Sequence, residues 1–388
     1  MFEEFDLDED DDIGGAALAS AQNAEVGLMP PPQSSICLGH EQIEQQIISL
    51  YNTGKMPHAI ALTGPKGIGK ATLAYRIAKF LFHEDVSAQD ALFGLDEAAA
   101  TSLGVPTDSP SFQKVASGGH PDLIRIEREY DDVKGETKGA LLVDAIRRVP
   151  TFLRSTSALG GWRICVIDDA DTMNRQAQNA LLKTLEEPPK KTLIILVAHR
   201  MGTFLPTIKS RIRVFNCSPL NDNDFNQLLD LSDVETQAKE LVYALSSGCF
   251  GYAQMLLEDD GLGVIEKVFS CFVPDRVVDP LLAMTIADQI GARGADKTYG
   301  FFVLFMTRLM EAMVMIKAKQ EAFLDDALIK SLSKQQNFDV LQEFFQRQTL
   351  ESLIEKNDKL REHFERTERA YLDKRLAVQQ ALDVLAGR

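Results

Sequence analysis

Residues 64 to 72 read Gly64-Pro65-Lys66-Gly67-Ile68-Gly69-Lys70-Ala71-Thr72, a glycine-rich turn closed by a lysine. Glycines let a backbone curl until its N–H groups converge on phosphate oxygens, and a lysine at this spacing adds a fixed positive charge. The phosphate-loop pattern G-x-x-x-x-G-K-[ST] is complete through Lys70, but Ala71 stands where a hydroxyl should ligate Mg²⁺. A methyl group cannot ligate a metal. Thr72 does not replace the hydroxyl, because one further residue turns a helical side chain by about 100°; it remains within reach of an α-phosphate. Gly64, Gly67, Gly69, Lys70 and Thr72 are therefore the candidate nucleotide-binding residues, with weak or no occupancy by ATP or ADP expected and Mg²⁺ poorly held.

A second candidate lies about 100 residues on. Trp162-Arg163-Ile164-Cys165-Val166-Ile167 is an apolar run ending in Asp168 and Asp169. In phosphate-loop proteins a strand beside the loop delivers an Asp to the metal, which is the role Asp168 fits. Asp169 follows, a carboxylate one methylene shorter than a glutamate base and about 1.5 Å short of its reach, and the pair would equally serve to cap a strand.

These residues need elements to hold them. Ala59-Ile60-Ala61-Leu62-Thr63 before the loop predicts a short buried strand, and the residues after it have helical spacing. Leu193 to Ala198 predicts another buried strand of the unbroken apolar kind found in parallel sheets. A helix from Asn174 to Glu187 must stop at Pro188-Pro189. The alternation over residues 40 to 217 predicts a three-layer α/β domain with a parallel sheet.

The rest of the chain sets bounds. At 388 residues it exceeds a single core. We expect an acidic disordered tail over 1–33, an α/β nucleotide-binding domain over 34–217, a small helical domain over 218–276, and an all-α domain over 277–388. The net charge of −16 argues against a free-standing nucleic-acid binder. Much of it lies between Glu3 and Asp12, a run expected to repel itself and stay unstructured. That run has no basic or apolar segment of a secretion signal, and no membrane span is read, so the expected location is the cytoplasm. Cys37, Cys165, Cys217, Cys249 and Cys271 have no metal-ligand spacing, so neither zinc nor any other metal site is expected. Phe302, Phe305, Met306, Leu309, Met310 and Met313 form one helical stripe, read as core or subunit packing.

Several segments together carry a resemblance. Pro57-His58-Ala59, Gly119-His120-Pro121-Asp122, the run from Asn179 to Pro189 (Asn-Ala-Leu-Leu-Lys-Thr-Leu-Glu-Glu-Pro-Pro) and Ser210-Arg211 resemble the AAA+ clamp-loader subunits of bacterial replication. Tyr371-Leu372-Asp373-Lys374-Arg375 is similar to a late segment of that family. The resemblance is specific from about 36 to 216 and mostly architectural beyond 277. It implies an AAA+ domain, a helical lid and a C-terminal collar. It also puts Arg211 at the arginine finger that reaches a neighbouring subunit's ATP site, a group worth about 10³–10⁵ in turnover.

Departures from the family pattern converge on one reaction. Hydrolysing members carry Ser or Thr where Ala71 stands, and Glu where Asp169 stands. A sensing arginine is expected where the chain has Gly251, and a Thr or Asn sensor where it has His199. The zinc module of many relatives is absent from residues 84–118, which contain no cysteine. The resemblance thus implies a non-motor stator subunit, not an enzyme on its own. Its partners would be delta and gamma/tau-type subunits, a sliding clamp and primed DNA, with the helix start near Asn174 and Arg175 a candidate DNA contact. The alternatives are an active AAA+ ATPase, in a clamp loader or as a helicase loader, and a small-molecule kinase, which would leave the helical C-terminal region unexplained.

Overall fold

Five short strands, each following the apolar runs of the sequence, build one parallel sheet: β1 (Ala59–Thr63), β2 (Leu123–Ile126), β3 (Arg163–Ile167), β4 (Thr192–Ala198) and β5 (Arg213–Asn216). Their spatial order is β2-β3-β4-β1-β5. In this computed structural model the described residues are 29–91, 99–131, 136–137, 139–231, 236–258, 261–274, 277–292, 294–370 and 372–385. Every residue of β1, β3 and β4 is buried, as a sheet covered on both faces requires.

Alternation along the strands divides the side chains between two layers. Ile60, Leu62, Ile164, Val166 and Ile195 face helices α1 (Glu41–Asn52) and α2 (Lys70–Ala91). Ala61, Cys165, Ile167, Ile194 and Leu196 face the opposite pair, α4 (Val143–Arg154) and α5 (Arg175–Glu186). Between them in sequence, α3 (Pro110–Ala116) packs on α2. The predicted three-layer α/β domain is present. The loop after β1, Asp168 after β3 and His199 after β4 all leave the carboxyl ends of neighbouring strands, where open α/β sheets gather ligands.

The predicted helix after the acidic pair begins one residue later than read. Asn174 is its N-cap, accepting from the Ala177 N–H at 2.8 Å, and Glu186 is its last residue before the two prolines. A single turn, α6 (Pro206–Lys209), then precedes β5.

Helices follow from residue 222 onward: α7 (Asp222–Asp230), α8 (Thr236–Ser246), α9 (Phe250–Glu258), α10 (Gly261–Ser270), α11 (Pro280–Ile290), α12 (Asp296–Lys319), α13 (Ala327–Leu332), α14 (Phe338–Arg347), α15 (Leu350–Ala370) and α16 (Lys374–Leu385). The Phe302-to-Met313 stripe is core: all six of its side chains are buried. By length and composition α12 could span a membrane, but here it threads the middle of the helical core. One continuous apolar cluster runs from Leu241 to Leu385 across the expected boundary at 276–277.

The tail expected over 1–33 meets the structure at its end. Residues 1–28 lie outside the described residues, while 29–33 form a turn in which the Gln33 and Ser34 N–H groups donate to the Pro30 carbonyl. Two buried or half-buried cations of α2 hold the segment that follows. Lys79 donates to the Ser34 carbonyl at 2.8 Å and lies over the Phe112 ring, and Arg76 donates to the Ser35 carbonyl at 3.1 Å. Burial pulls the Lys79 pKa down to about 8.

Candidate nucleotide site and its surroundings

Loop, strand ends and N-terminal strap enclose a cleft of about 320 Å³. Its lining includes the apolar Ile36, Leu38, Leu220, Leu228 and Phe250 and the polar Lys70, Thr72, Asp168, Asp169 and His199. Gly64, with φ +145, passes so close to the end of β5 that a Cβ there would lie 2.3 Å from the Cys217 carbonyl oxygen. No residue with a side chain fits at that position without the backbone shifting.

Its polar groups are already engaged. The Lys70 ammonium donates to the carbonyls of Gly64, at 2.8 Å, and of Pro65. Burial lowers its pKa from the ordinary lysine value. The loop is braced from behind by His40, the residue before α1, whose Nε2 lies 2.7 Å from the Ile68 carbonyl. A carbonyl only accepts, so Nε2 carries the proton in this contact. Burial also lowers the His40 pKa, which favours this neutral ring.

Lid and loop touch backbone to backbone. Gly251, in the first turn of α9, donates its N–H to the Gly67 carbonyl at 2.7 Å. A Cβ on Gly251 would lie 2.7 Å from Gly67 Cα, and one on Gly67 would lie 3.1 Å from Gly251 Cα. Where the family pattern calls for an arginine reaching towards phosphate, this chain has a glycine that seats the lid on the loop. The sequence marked Gly251 as a loss; its partner on the loop was not legible there.

The acidic pair is divided by its surroundings. Asp168 faces the cleft, and burial, followed by the neighbouring Asp169 charge, raises its pKa. Asp169 adopts a left-handed backbone conformation at φ 47 and is gripped by Arg128, with Nε at 2.9 Å and a terminal nitrogen at 2.7 Å from Oδ2. The His199 ring stands 3.5 Å from the other Asp169 oxygen and 3.2 Å from Asp171. Burial alone would raise the Asp171 pKa, but the ring and backbone N–H of His199 outweigh it and the net shift is downward. A carboxylate held by a guanidinium is a poor general base, because proton abstraction must break a charge-assisted pair. Arg128 is the site residue that sequence reading missed. It sits two residues after β2, and nothing in local spacing ties it to position 169.

Metal chemistry does not fit these residues. Ala71 offers no oxygen, Asp169 is committed to Arg128, and among the described residues no group of three or more His, Cys, Asp or Glu side chains could hold an ion.

Arg211 follows α6, away from the cleft-lining residues. Its guanidinium donates to the Thr207 carbonyl at 2.8 Å and the Ser210 hydroxyl at 3.2 Å, and pairs with Glu186 at 3.1 Å. About a third of its side chain is open to solvent.

Comparison with known proteins places these features. Residues 39–221 match the family described as DNA polymerase III, delta subunit. DNA polymerase III subunit delta' of Pseudomonas aeruginosa is 36% identical over 212 residues, covering 54% of this chain and 58% of the relative. Over residues 39–221, a little under half of its length, the chain is similar to delta-prime subunits of DNA polymerase III. The corresponding subunit of Escherichia coli K12 is 28% identical over 255 residues, covering 64% of this chain and 70% of that one. The match thus spans little more than half of the Pseudomonas relative. A gamma subunit-related protein of Thermotoga maritima overlays 88% of this chain and 99% of its own, at 18% identity and a TM-score of 0.41, too loosely to add to the fold argument. The family match covers the sheet, the loop and the Arg211 turn, and stops one residue before α7.

Proposed function

We propose that this chain is a non-motor, stator subunit of a replicative clamp loader. It assembles with delta and gamma/tau-type subunits in the cytoplasm and helps place a sliding clamp on primed DNA for DNA polymerase III. Its own site binds ATP or ADP weakly or not at all and does not turn over, so the chain is an accessory subunit, not an enzyme by itself. Arg211 serves as an arginine finger for the ATP site of the adjoining subunit. Gly64, Gly67, Gly69, Lys70 and Thr72 keep the shape of a nucleotide loop, with Asp168 and Asp169 a degenerate acidic pair beside it. The helices from 277 onward are the collar that packs against other subunits.

One contrast carries this reading. The cleft lacks a metal oxygen at Ala71 and has Asp169 tied to Arg128, whereas Arg211 is fixed by three contacts with about a third of its side chain open to solvent. A guanidinium held in place outside the chain's own cleft and partly open to solvent is suited to serve a neighbour's site.

The test is reconstitution. With Arg211→Ala, ATP turnover at the adjoining site of the assembled complex is expected to fall about 10³-fold or more, while nucleotide affinity of this chain stays unchanged. DNA-stimulated turnover of the isolated chain near about 1 s⁻¹, within the ordinary range for enzymes, would refute the reading.

A further inference from the structure

The segment that carries Arg211 is not free to choose its position. It leaves β4 at Ala198, makes a short turn over Met201–Thr203, enters α6 at Pro206 and reaches Arg211. Two side chains of α5 meet it along the way. Gln178 is buried, with 3% of its surface exposed. Its amide nitrogen donates to the carbonyls of Met173, at 3.0 Å, and Thr203, at 3.1 Å, and its amide oxygen accepts from the Leu205 N–H at 2.8 Å. Both amide hydrogens and the oxygen are used, on both sides of the turn. Eight residues along the same helix, Glu186 pairs with the Arg211 guanidinium. The helix between them is a rigid spacer with a rise of about 1.5 Å per residue.

We infer that Gln178 and Glu186 are positioning residues for Arg211: Gln178 fixes the turn that leads to it, and Glu186 sets the direction of its guanidinium. The inference rests on the reading of Arg211 as a trans-acting finger. Its physical basis is that a charged group acting across a subunit boundary must arrive already oriented, since a displacement of about 1 Å can lose about 10² in rate. Thr207 and Ser210 alone anchor the guanidinium from within its own turn, while Phe204 and Ile208 bury the turn's apolar side chains in the core and leave its backbone at Thr203 and Leu205 to a hydrogen-bonding anchor. Gln178 supplies that anchor from the helix. A core glutamine with no such role would need its bonds only for its own satisfaction.

The test uses the reconstituted complex, with kcat and KM for ATP measured for five variants of this chain. Arg211→Ala sets the scale. Gln178→Met, which keeps length and volume but no hydrogen bond, is expected to lower kcat at least about tenfold with KM and subunit assembly unchanged. Glu186→Ala is expected to do the same, and Glu186→Gln, which keeps the accepting oxygen, to recover part of the loss. Combining Gln178→Met with Arg211→Ala should give no further loss than Arg211→Ala alone, whereas general damage to the fold would add to it. In the isolated chain, Gln178→Met should also speed amide exchange at Leu205. If Arg211→Ala slows the neighbour and both Gln178→Met and Glu186→Ala keep full kcat, the inference is overturned and the finger stands. If Arg211→Ala itself changes nothing, the functional reading falls and this inference falls with it.

Discussion

A single methyl group at Ala71 is the plainest departure from the phosphate-loop pattern, yet it is not the only one around the cleft. Asp169 would still be clamped by Arg128 at 2.7 Å, and Gly251 would still sit on Gly67. Ala71→Ser restores one metal oxygen and leaves both of those untouched. Turnover of the isolated variant should therefore rise less than about tenfold, where a free general base alone is worth about 10²–10⁴. A Mg²⁺-dependent ATPase assay decides it; a jump beyond that range would mean that the metal ligand was the only defect. Sequence could name Ala71 and Asp169 because they occupy fixed offsets within motifs. It could not name Arg128 or His40, whose partners lie 41 and 28 residues away along the chain. Such pairings are set by the packing of strands and helices and leave no trace in local spacing.

At the scale of elements, the strand-loop-helix around Lys70 and the strand ending at Asp168 were legible because their apolar runs have unmistakable period and length. The helix read over 174–187 was legible from the prolines after it, and it runs from Arg175 to Glu186. What α5 does with Gln178 was not, since a glutamine in a helix pattern reads as surface. The seating of α9 on the loop was equally hidden, because two glycines far apart in sequence announce nothing about each other. That contact has a measurable weight. Gly251→Ala forces a Cβ to within 2.7 Å of Gly67 Cα unless the lid backs away. We expect a loss of about 1–3 kcal/mol in unfolding free energy and faster amide exchange at Gly251. Gly300→Ala, inside α12 with nothing within 4 Å of the new methyl, is the control of opposite sign. It should stabilise by about 0.5–1 kcal/mol. Exchange at Gly251 unchanged by Gly251→Ala would show that the lid does not depend on this contact.

Across the whole molecule, the expected division at 276–277 does not divide the apolar interior, which is shared from Leu241 to Leu385. Composition shifts and prolines mark where helices end, and they say little about whether the bundles on either side share a core. The outer face of α11 is a different matter: Leu281 is 77% exposed and Met284 56%. Leu281→Glu should change the stability of the isolated chain by no more than about 0.5 kcal/mol. It should nevertheless weaken co-purification with the gamma/tau-type and delta subunits if this face is part of the collar. Unaltered assembly, measured by gel filtration of the mixed subunits, would remove α11 from that role. The N-terminal strap has a consequence of another kind. Met29 borders the cleft, and the twelve residues that open the chain include Glu3, Glu4, Asp6, Asp8, Glu9, Asp10, Asp11 and Asp12, with no cation before Lys55. The net charge of −16 repels polyanions at a distance, and that repulsion reaches about 10 Å at 0.1 M ionic strength and shrinks as salt is added. Ordinary electrolyte, which weakens most encounters between nucleotides and proteins, should here hasten their arrival.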